Sequence, residues 1–502
     1  MPSEQRLHPA SILFSFGKSL KAFAVPGLVG LVIAARRPGP NVDGWLMLLL
    51  IPAAIVAIVR YLSFRLHYEG TELVIRSGIL FRNERHIPFA RIQNLDAVQN
   101  VFHRLLRVIE VRVQTGAGNE PEAIISVLPA AALDEMRSRV FARDLAAPET
   151  PGVAARPLLE LPFRDLLLHG FLVNRGMVVI AAVYGLLWEL GILSSVWEPV
   201  LGDEAAREGM VRDLLGTMAS GRTLSLLQIA VAVAGVTGFL IVVRIVSMGW
   251  AVVRLYGFRL TRLGEDLRID FGLFTRVAAT IPLRRIQSVT IREGPLYRLV
   301  DRVSVRVETA GGRAGQEGQA SAHEWLAPVI RPAALATLTA EILPEYGEGN
   351  PIARRDWQPP HPQAFRRAVK PRLFLAALSC IPASLALGWW AMVFAAVVLP
   401  WSVYAAKRYV AHLGWADTGT IIVFKSGWLW RAVTIVRVSR IQAVTIIESP
   451  FDRRSAMARV RVDTAGANER SHRIDIPYLA RERAVDLQLR LATQAADTAF
   501  HW

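Results

Sequence analysis

Gly78-Ile79-Leu80-Phe81, then Arg91-Ile92-Gln93, then Arg112-Val113-Gln114-Thr115-Gly116 is the stretch that decides how this chain is built, because it recurs. The second copy carries Gly272, Arg285-Ile286-Gln287 and Arg306-Val307-Glu308-Thr309. The third carries Gly427, Arg440-Ile441-Gln442 and Arg461-Val462-Asp463-Thr464. In every copy the glycine lies 13 residues before the Arg-Ile-Gln arginine, and the next arginine of the pattern comes 21 residues after it. A further arginine keeps step 13 residues beyond Arg-Ile-Gln, at Arg104, Arg298 and Arg453. Three copies without an insertion over 34 residues make this a repeat protein, and its architecture follows from the repeat.

Composition says what lies between the copies. A chain of 502 residues has room for about three domains. At 52% hydrophobic it is too apolar for an ordinary soluble protein, so membrane segments are expected. The net charge of +16 then reads as positive-inside topology and attraction to anionic headgroups. It does not read as a nucleic-acid surface, because the basic residues flank apolar runs instead of lining one helix or strand. Cys380, the single cysteine, leaves no disulfide framework and no thiolate metal cluster. Pro9, Lys18 and Lys21 break any signal-peptide core, so an uncleaved inner-membrane protein is expected.

Three apolar hairpins, about six membrane helices, are predicted. The first covers Ala22 to Ala35 and Trp45 to Val59, the second Gly176 to Trp197 and Leu224 to Val253. The third has no charge between Arg372 and Lys407, a run of 34 residues. As one helix it would be about 50 Å long, too long for one span of a ~30 Å core and tight for two. A turn near Gly388-Trp389-Trp390 is expected, and a full crossing and a re-entrant dip both remain open for the first and third pairs. Either way each pair returns to its own side, where Arg60, Arg65, Arg254, Arg259, Lys407 and Arg408 place the repeats in the cytoplasm. The acidic loop of the second hairpin (Glu198, Asp203, Glu204, Glu208, Asp213) falls outside; Arg36-Arg37 runs against this assignment. The expected division is N-terminus and hairpin 1–59, domain 60–145, linker 146–165, hairpin 166–253, domain 254–346, linker 347–370, hairpin 371–406 and domain 407–495. Short amphipathic helices are expected before each hairpin, near residues 6–21, at Pro162 and at Pro362.

Within the first copy, strands are predicted over 62–68, 72–77, 80–87, 92–98 and 109–115, with a helical turn near 102–106. Ile109, Val111 and Val113 alternate with Glu110, Arg112 and Gln114, and the other copies keep this period of two. One more strand and a helix opened by Pro129, Pro328 or Pro477 complete each unit of six or seven antiparallel strands.

The second copy reads Ile281-Pro282-Leu283-Arg284-Arg285-Ile286-Gln287-Ser288-Val289 and then Val305-Arg306-Val307-Glu308-Thr309-Ala310-Gly311. With the hairpin alternation, this resembles the bacterial pleckstrin-homology-like membrane proteins of the YdbT/YdbS type. The first copy departs slightly (Phe89, Asn94), and the third departs more, with Val436-Arg437-Val438 in place of Ile-Pro-Leu. The resemblance covers essentially the whole chain. It implies α-helical membrane hairpins plus three pleckstrin-homology-like domains, each of two nearly orthogonal antiparallel sheets with a C-terminal capping helix. It implies no known catalysis and no cofactor.

Arg91 and Gln93, Arg285 and Gln287, and Arg440 and Gln442 are the strongest site candidates. In a strand, residues i and i+2 share a face, so each pair would form a polar surface for a peptide, a partner domain or a headgroup. The structural alternative is that they brace nearby carbonyls and carboxylates, including Glu308 and Asp463. Specific phosphoinositide binding would want basic residues between the first two strands, where Glu69-Gly70-Thr71-Glu72, Gly264-Glu265-Asp266 and Asp417-Thr418-Gly419 are acidic instead. Arg82, Arg85, Arg104 and Arg107 could lie against anionic lipid without specificity.

Enzyme signals are weak: Gly17-Lys18-Ser19 lacks the glycine of a phosphate loop, and metal and nucleophile motifs are absent. His169 reads as interfacial, and Glu189, in an apolar run, is the one candidate for an ion role. The expected function is a non-enzymatic scaffold binding membrane lipids and another membrane protein or itself, with no nucleic acid and no small-molecule substrate. Strand addition is one mode. A transport or export component is the alternative, and an anionic-lipid-sensing peripheral surface is a further one.

Overall fold

The computed structural model describes residues 7–16, 51, 54–59, 61–78, 82–115, 123–140, 156–173, 175–189, 209, 226–309, 325–347, 349–354, 356–464 and 474–497. Most of the first hairpin, the acidic outer loop, Gly17-Lys18-Ser19 and the Gly-rich turns after Thr115, Thr309 and Thr464 lie outside these residues, as do the side chains of Gln93 and Glu189.

Each repeat forms six strands with a short helix after the fourth and a longer helix after the sixth. The first comprises β1 (Arg65–Glu69), β2 (Glu72–Ser77), β3 (Asn83–Pro88), β4 (Ile92–Gln99), α1 (Val101–Leu105), β5 (Val108–Thr115), β6 (Ala123–Pro129) and α2 (Ala130–Val140). An extra strand, β7 (Arg156–Glu160), precedes the helices α3 (Phe163–Leu172), α4 (Gly176–Glu189) and α5 (Leu226–Leu255). The second repeat holds β8 (Arg259–Leu263), β9 (Asp266–Phe271), β10 (Arg276–Pro282), β11 (Ile286–Glu293), α6 (Pro295–Leu299), β12 (Val303–Thr309), β13 (Trp325–Ile330) and α7 (Pro332–Ile342). The hairpin α8 (Ala364–Leu387) and α9 (Trp390–His412) leads into β14 (Gly414–Asp417), β15 (Ile421–Ser426), β16 (Arg431–Arg437), β17 (Ile441–Ile447), α10 (Pro450–Arg453), β18 (Met457–Thr464), β19 (Ile474–Ala480) and α11 (Arg481–Asp497).

The period-two pattern reads directly as burial. In β12 Val303, Val305 and Val307 are buried, and in β18 Val460 and Val462 are. In the first repeat these alternating residues join Leu66, Leu73 and Ile87 and the helix residues Leu133, Met136 and Val140 in one core. The third core is built likewise from β15, β18 and β19 against Ala484, Leu487 and Leu491 of α11.

Pro129, Pro328 and Pro477 do not open the final helices. They sit in the last strands, β6, β13 and β19, and the helices begin at Ala130, Pro332 and Arg481. Each of these strands is the outermost of its sheet, where a residue lacking an N–H costs no ladder bond. The predicted linker 146–165 also contains ordered structure, namely β7 and the start of α3.

Sheet order departs most from separate domains. One sheet runs β6-β5-β4-β10-β9-β8-β7 and another β13-β12-β11-β16-β15-β14, so the second half of each of the first two repeats continues into the first half of the next. The leftover halves, β1-β2-β3 and β17-β18-β19, stand as three-stranded sheets.

Residues 160–258 with 271–274 form a compact unit of their own. In that unit α3 and α4 pack closely on α5: a Cβ on Gly170 would meet Met248 Cα at 2.5 Å, and Ser247 Oγ donates to the Gly170 carbonyl at 2.7 Å. Among the described residues, Val233–Leu255 and Trp390–His412 are long and apolar enough to cross a bilayer. At 23 residues each spans about 34 Å. The α8–α9 turn falls at Gly388, φ +54°, where the sequence placed it.

Candidate functional site

The repeated glycine is a backbone requirement. Gly78, Gly272 and Gly427 have φ of +90°, +114° and +76°, a region costly for residues with a Cβ. At Gly427 a Cβ would also sit 1.9 Å from the Trp430 carbonyl oxygen.

Arg-Ile-Gln is likewise a turn before it is a surface. Phe89–Arg91, Leu283–Arg285 and Val438–Arg440 each form one turn of 3-10 helix. The N–H of the first residue in each donates to the loop between the repeat's first two strands: Phe89 to the Thr71 carbonyl (2.8 Å), Leu283 to Glu265 (3.0 Å) and Val438 to Thr420 (2.9 Å). The glutamine then occupies a β-bulge, where pairing skips from Ile92 to Asn94, from Ile286 to Ser288 and from Ile441 to Ala443. A bulge inserts one residue and breaks the alternation of faces. The expectation that Arg and Gln share a strand face therefore fails, because the arginine precedes the strand and the glutamine is its extra residue.

Their surroundings differ by repeat. Gln287 is buried, and its Nε2 donates to the Arg285 carbonyl at 3.3 Å, whereas Gln442 is exposed. Arg91 is exposed, while Arg285 and Arg440 are half-buried. Burial and the like charge of Arg437 pull the Arg440 guanidinium below its ordinary range, against the opposing effect of Glu345. The later motif arginines brace their own sheets: Arg112 on Glu110 (3.0 Å), Arg306 over the Trp325 ring (3.9 Å) and Arg461 on Asp475 (3.2 Å).

The richest constellation is the junction between repeats. β11 pairs antiparallel with β16 from Ser288↔Val436 to Glu293↔Arg431, and β4 pairs with β10 from Ala97↔Ala278 to Gln99↔Arg276. Aligned on Arg-Ile-Gln, the two junctions share one register. Thr290 and Thr434 hydroxyls meet across the second at 3.3 Å, and Arg431 pairs with Glu293 at 3.4 Å.

Two arginines clasp that junction. Arg298, the arginine 13 residues after Arg285, donates to the Trp428 and Leu429 carbonyls at 3.0 and 2.9 Å, holding the turn between β15 and β16. The same turn lays Trp428 against Trp401 and Tyr404 of α9, an aromatic cluster of the kind found at membrane interfaces. Arg437 donates to the Leu283 and Ile342 carbonyls at 3.1 and 3.0 Å and pairs with Glu345 at 3.4 Å. It thereby caps the C-terminus of α7, where a cation is favoured. The departure of the third copy from Ile-Pro-Leu was the sequence's only hint of this contact.

On the first repeat Arg82, Arg85, Arg104 and Arg107 are all exposed. Arg104 and Arg107 flank Phe102 and Leu105, which are 65% and 79% exposed, so α1 presents apolar and basic groups together. His169 is buried in α3, and Cys380 is a free thiol. Among the described residues, no cluster of His, Cys, Asp or Glu is arranged to hold a metal ion.

A model of the Bacterial PH domain matches residues 20–144, 216–342 and 371–495, each match taking in a sheet domain and apolar sequence before it. The chain is also 22% identical over 485 residues to the UPF0699 transmembrane protein YdbT of Bacillus subtilis, covering 91% of this chain and 92% of that one. No solved structure matches. With three matches covering most of its length, the chain belongs to the Bacterial PH domain family, as a transmembrane protein of the YdbT type.

Proposed function

We propose that the chain is a non-enzymatic scaffold of the bacterial inner membrane that holds its three domains at the cytoplasmic face for association with another protein or with itself. Sheet sharing carries this reading. The first two domains already use the edge beside the Arg-Ile-Gln turn to take up a strand of the next repeat, which is how peptides are captured by strand addition, and in the third domain the same edge carries no such strand among the described residues. The test is photo-crosslinking in cells from Gln442, with buried Gln287 as the control. Protein adducts from Gln442 alone support the scaffold, and the absence of any intermolecular adduct sinks it.

The exposed pairing of Phe102 and Leu105 with Arg104 and Arg107 favours a second reading, contact of α1 with anionic lipid, at about 1 kcal/mol per charge near the surface. Full-length protein in nanodiscs should show slower hydrogen exchange in α1 with phosphatidylglycerol present than without it. Equal exchange in both would remove this reading.

A further inference from the structure

We propose that the partner is a second copy of this chain, joined head to tail by antiparallel pairing of β17 of one copy with β3 of the next. This rests on the scaffold reading and gives its self-association a register. The rule comes from the chain itself. At both internal junctions the strand after an Arg-Ile-Gln turn pairs with the third strand of the following repeat, in the same register. Among the described residues two strands are left over by that rule, β17 and β3, and each is the edge of its sheet.

Exposure marks the vacancy. Ser288 and Thr290 are 2% exposed in β11, while their counterparts Ala443 and Thr445 in β17 are exposed. Asn83, Glu84, Arg85 and His86 of β3 are exposed as well.

Carrying the register forward sets Ile447 opposite Asn83, Thr445 opposite Arg85 and Glu448 opposite Arg82. That last pair repeats the Glu293–Arg431 ion pair of the internal junction. No like charges come opposite each other. Arg453, the counterpart of the clasping Arg298, is exposed and has no side-chain partner among the described residues.

Two existing contacts must yield or adapt. Glu448 now pairs with Arg481 at 3.1 Å, and Gln488 Nε2 donates to the Val444 carbonyl at 3.2 Å, covering one backbone acceptor of β17. Because the joined surfaces differ, the contact is heterologous and builds a ring or a filament within one membrane.

Disulfide trapping in native membranes tests it. In a Cys380→Ser background, one copy carries Ile447→Cys and a separately tagged copy carries Asn83→Cys. Paired strand residues lie about 4.5–5.5 Å apart at Cα, within disulfide reach. We expect a disulfide-linked dimer only when both variants are present. It should be at least about tenfold weaker with Ala443→Cys in place of Ile447→Cys, a shift of about 13 Å along the strand. Gln488→Ala should raise the yield. No dimer, or equal dimer from the shifted pair, overturns the proposal. If trapping fails while Gln442 crosslinks to a different polypeptide, the scaffold survives and the second copy does not. If both fail, both readings fall.

Discussion

Ile286-Gln287-Ser288-Val289-Thr290-Ile291 and Ile441-Gln442-Ala443-Val444-Thr445-Ile446 are nearly the same strand twice. In β11 every one of these residues is buried, whereas in β17 only Ile441 is. The sequences do not explain that contrast, because the apolar pattern is the same. The neighbour does: β16 lies along one edge of β11, whereas β17 is paired with β18 alone and its other edge has no strand beside it among the described residues. An edge of this kind is either protected or used. Here Gln488 protects it in part.

The most severe way to break the comparison is to put a charge on the matched threonine. Thr290→Lys buries an unpaired ammonium against Thr434 and should cost about 4 kcal/mol or more, whereas Thr445→Lys should stay within about 0.5 kcal/mol. Thermal unfolding of dilute protein in detergent separates the two. Equal effects would mean that β17 is covered after all.

Removing apolar bulk gives a smaller difference. Ile291 is 1% exposed, so Ile291→Ala should cost about 3 kcal/mol, and half-buried Ile446→Ala about 1 kcal/mol. Denaturant midpoints measure this pair.

Arg437→Ala sharpens the contrast from the other side. It frees the carbonyls of Leu283 and Ile342 and should loosen the β11–β16 junction by about 2 kcal/mol. Faster hydrogen exchange in β16 than in β17 would be the signature, and unchanged β16 exchange would show the clasp to be idle.

The smallest effect concerns the short helices. Burial raises the Asp452 carboxyl pKa, but its hydrogen bonds with Ser449 and Arg367 outweigh this and leave it below the ordinary carboxylate value. Asp452 and Ser449 form a capping box on α10, and Arg367 donates to Asp452 at 2.8 Å. A depressed folded pKa stabilises above the unfolded value of about 3.9, and that contribution is lost as pH falls through the folded value. Amides of α10 should therefore lose protection only below about pH 4. Those of α6 should not follow, since its N-cap, Gly294, has no side chain to titrate. A parallel loss in both helices would contradict the assignment.

Much of the fold was legible because it is local. Gly78, Gly272 and Gly427 announce positive φ, the valines of β12 and β18 announce a half-buried strand, and Gly388 announces the hairpin turn. The prolines misled because Pro328 could equally begin a helix or sit on an outer strand, and only the sheet order decides between these. The Arg-Ile-Gln faces misled for a related reason: a bulge looks like ordinary strand until its partner is known.

By itself, then, the sequence determined three repeats, their strands, and apolar helices over Val233–Leu255 and Trp390–His412, since each depends on residues within one turn or one strand of each other. The tertiary structure alone decided which repeat edge meets which. Arg298 and Arg437 become clasps only once Trp428, Leu429, Leu283 and Ile342 are brought to them from distant parts of the chain. Backbone pairing carries little side-chain signature, so two nearly identical strands came to lie one in a core and one at an open edge.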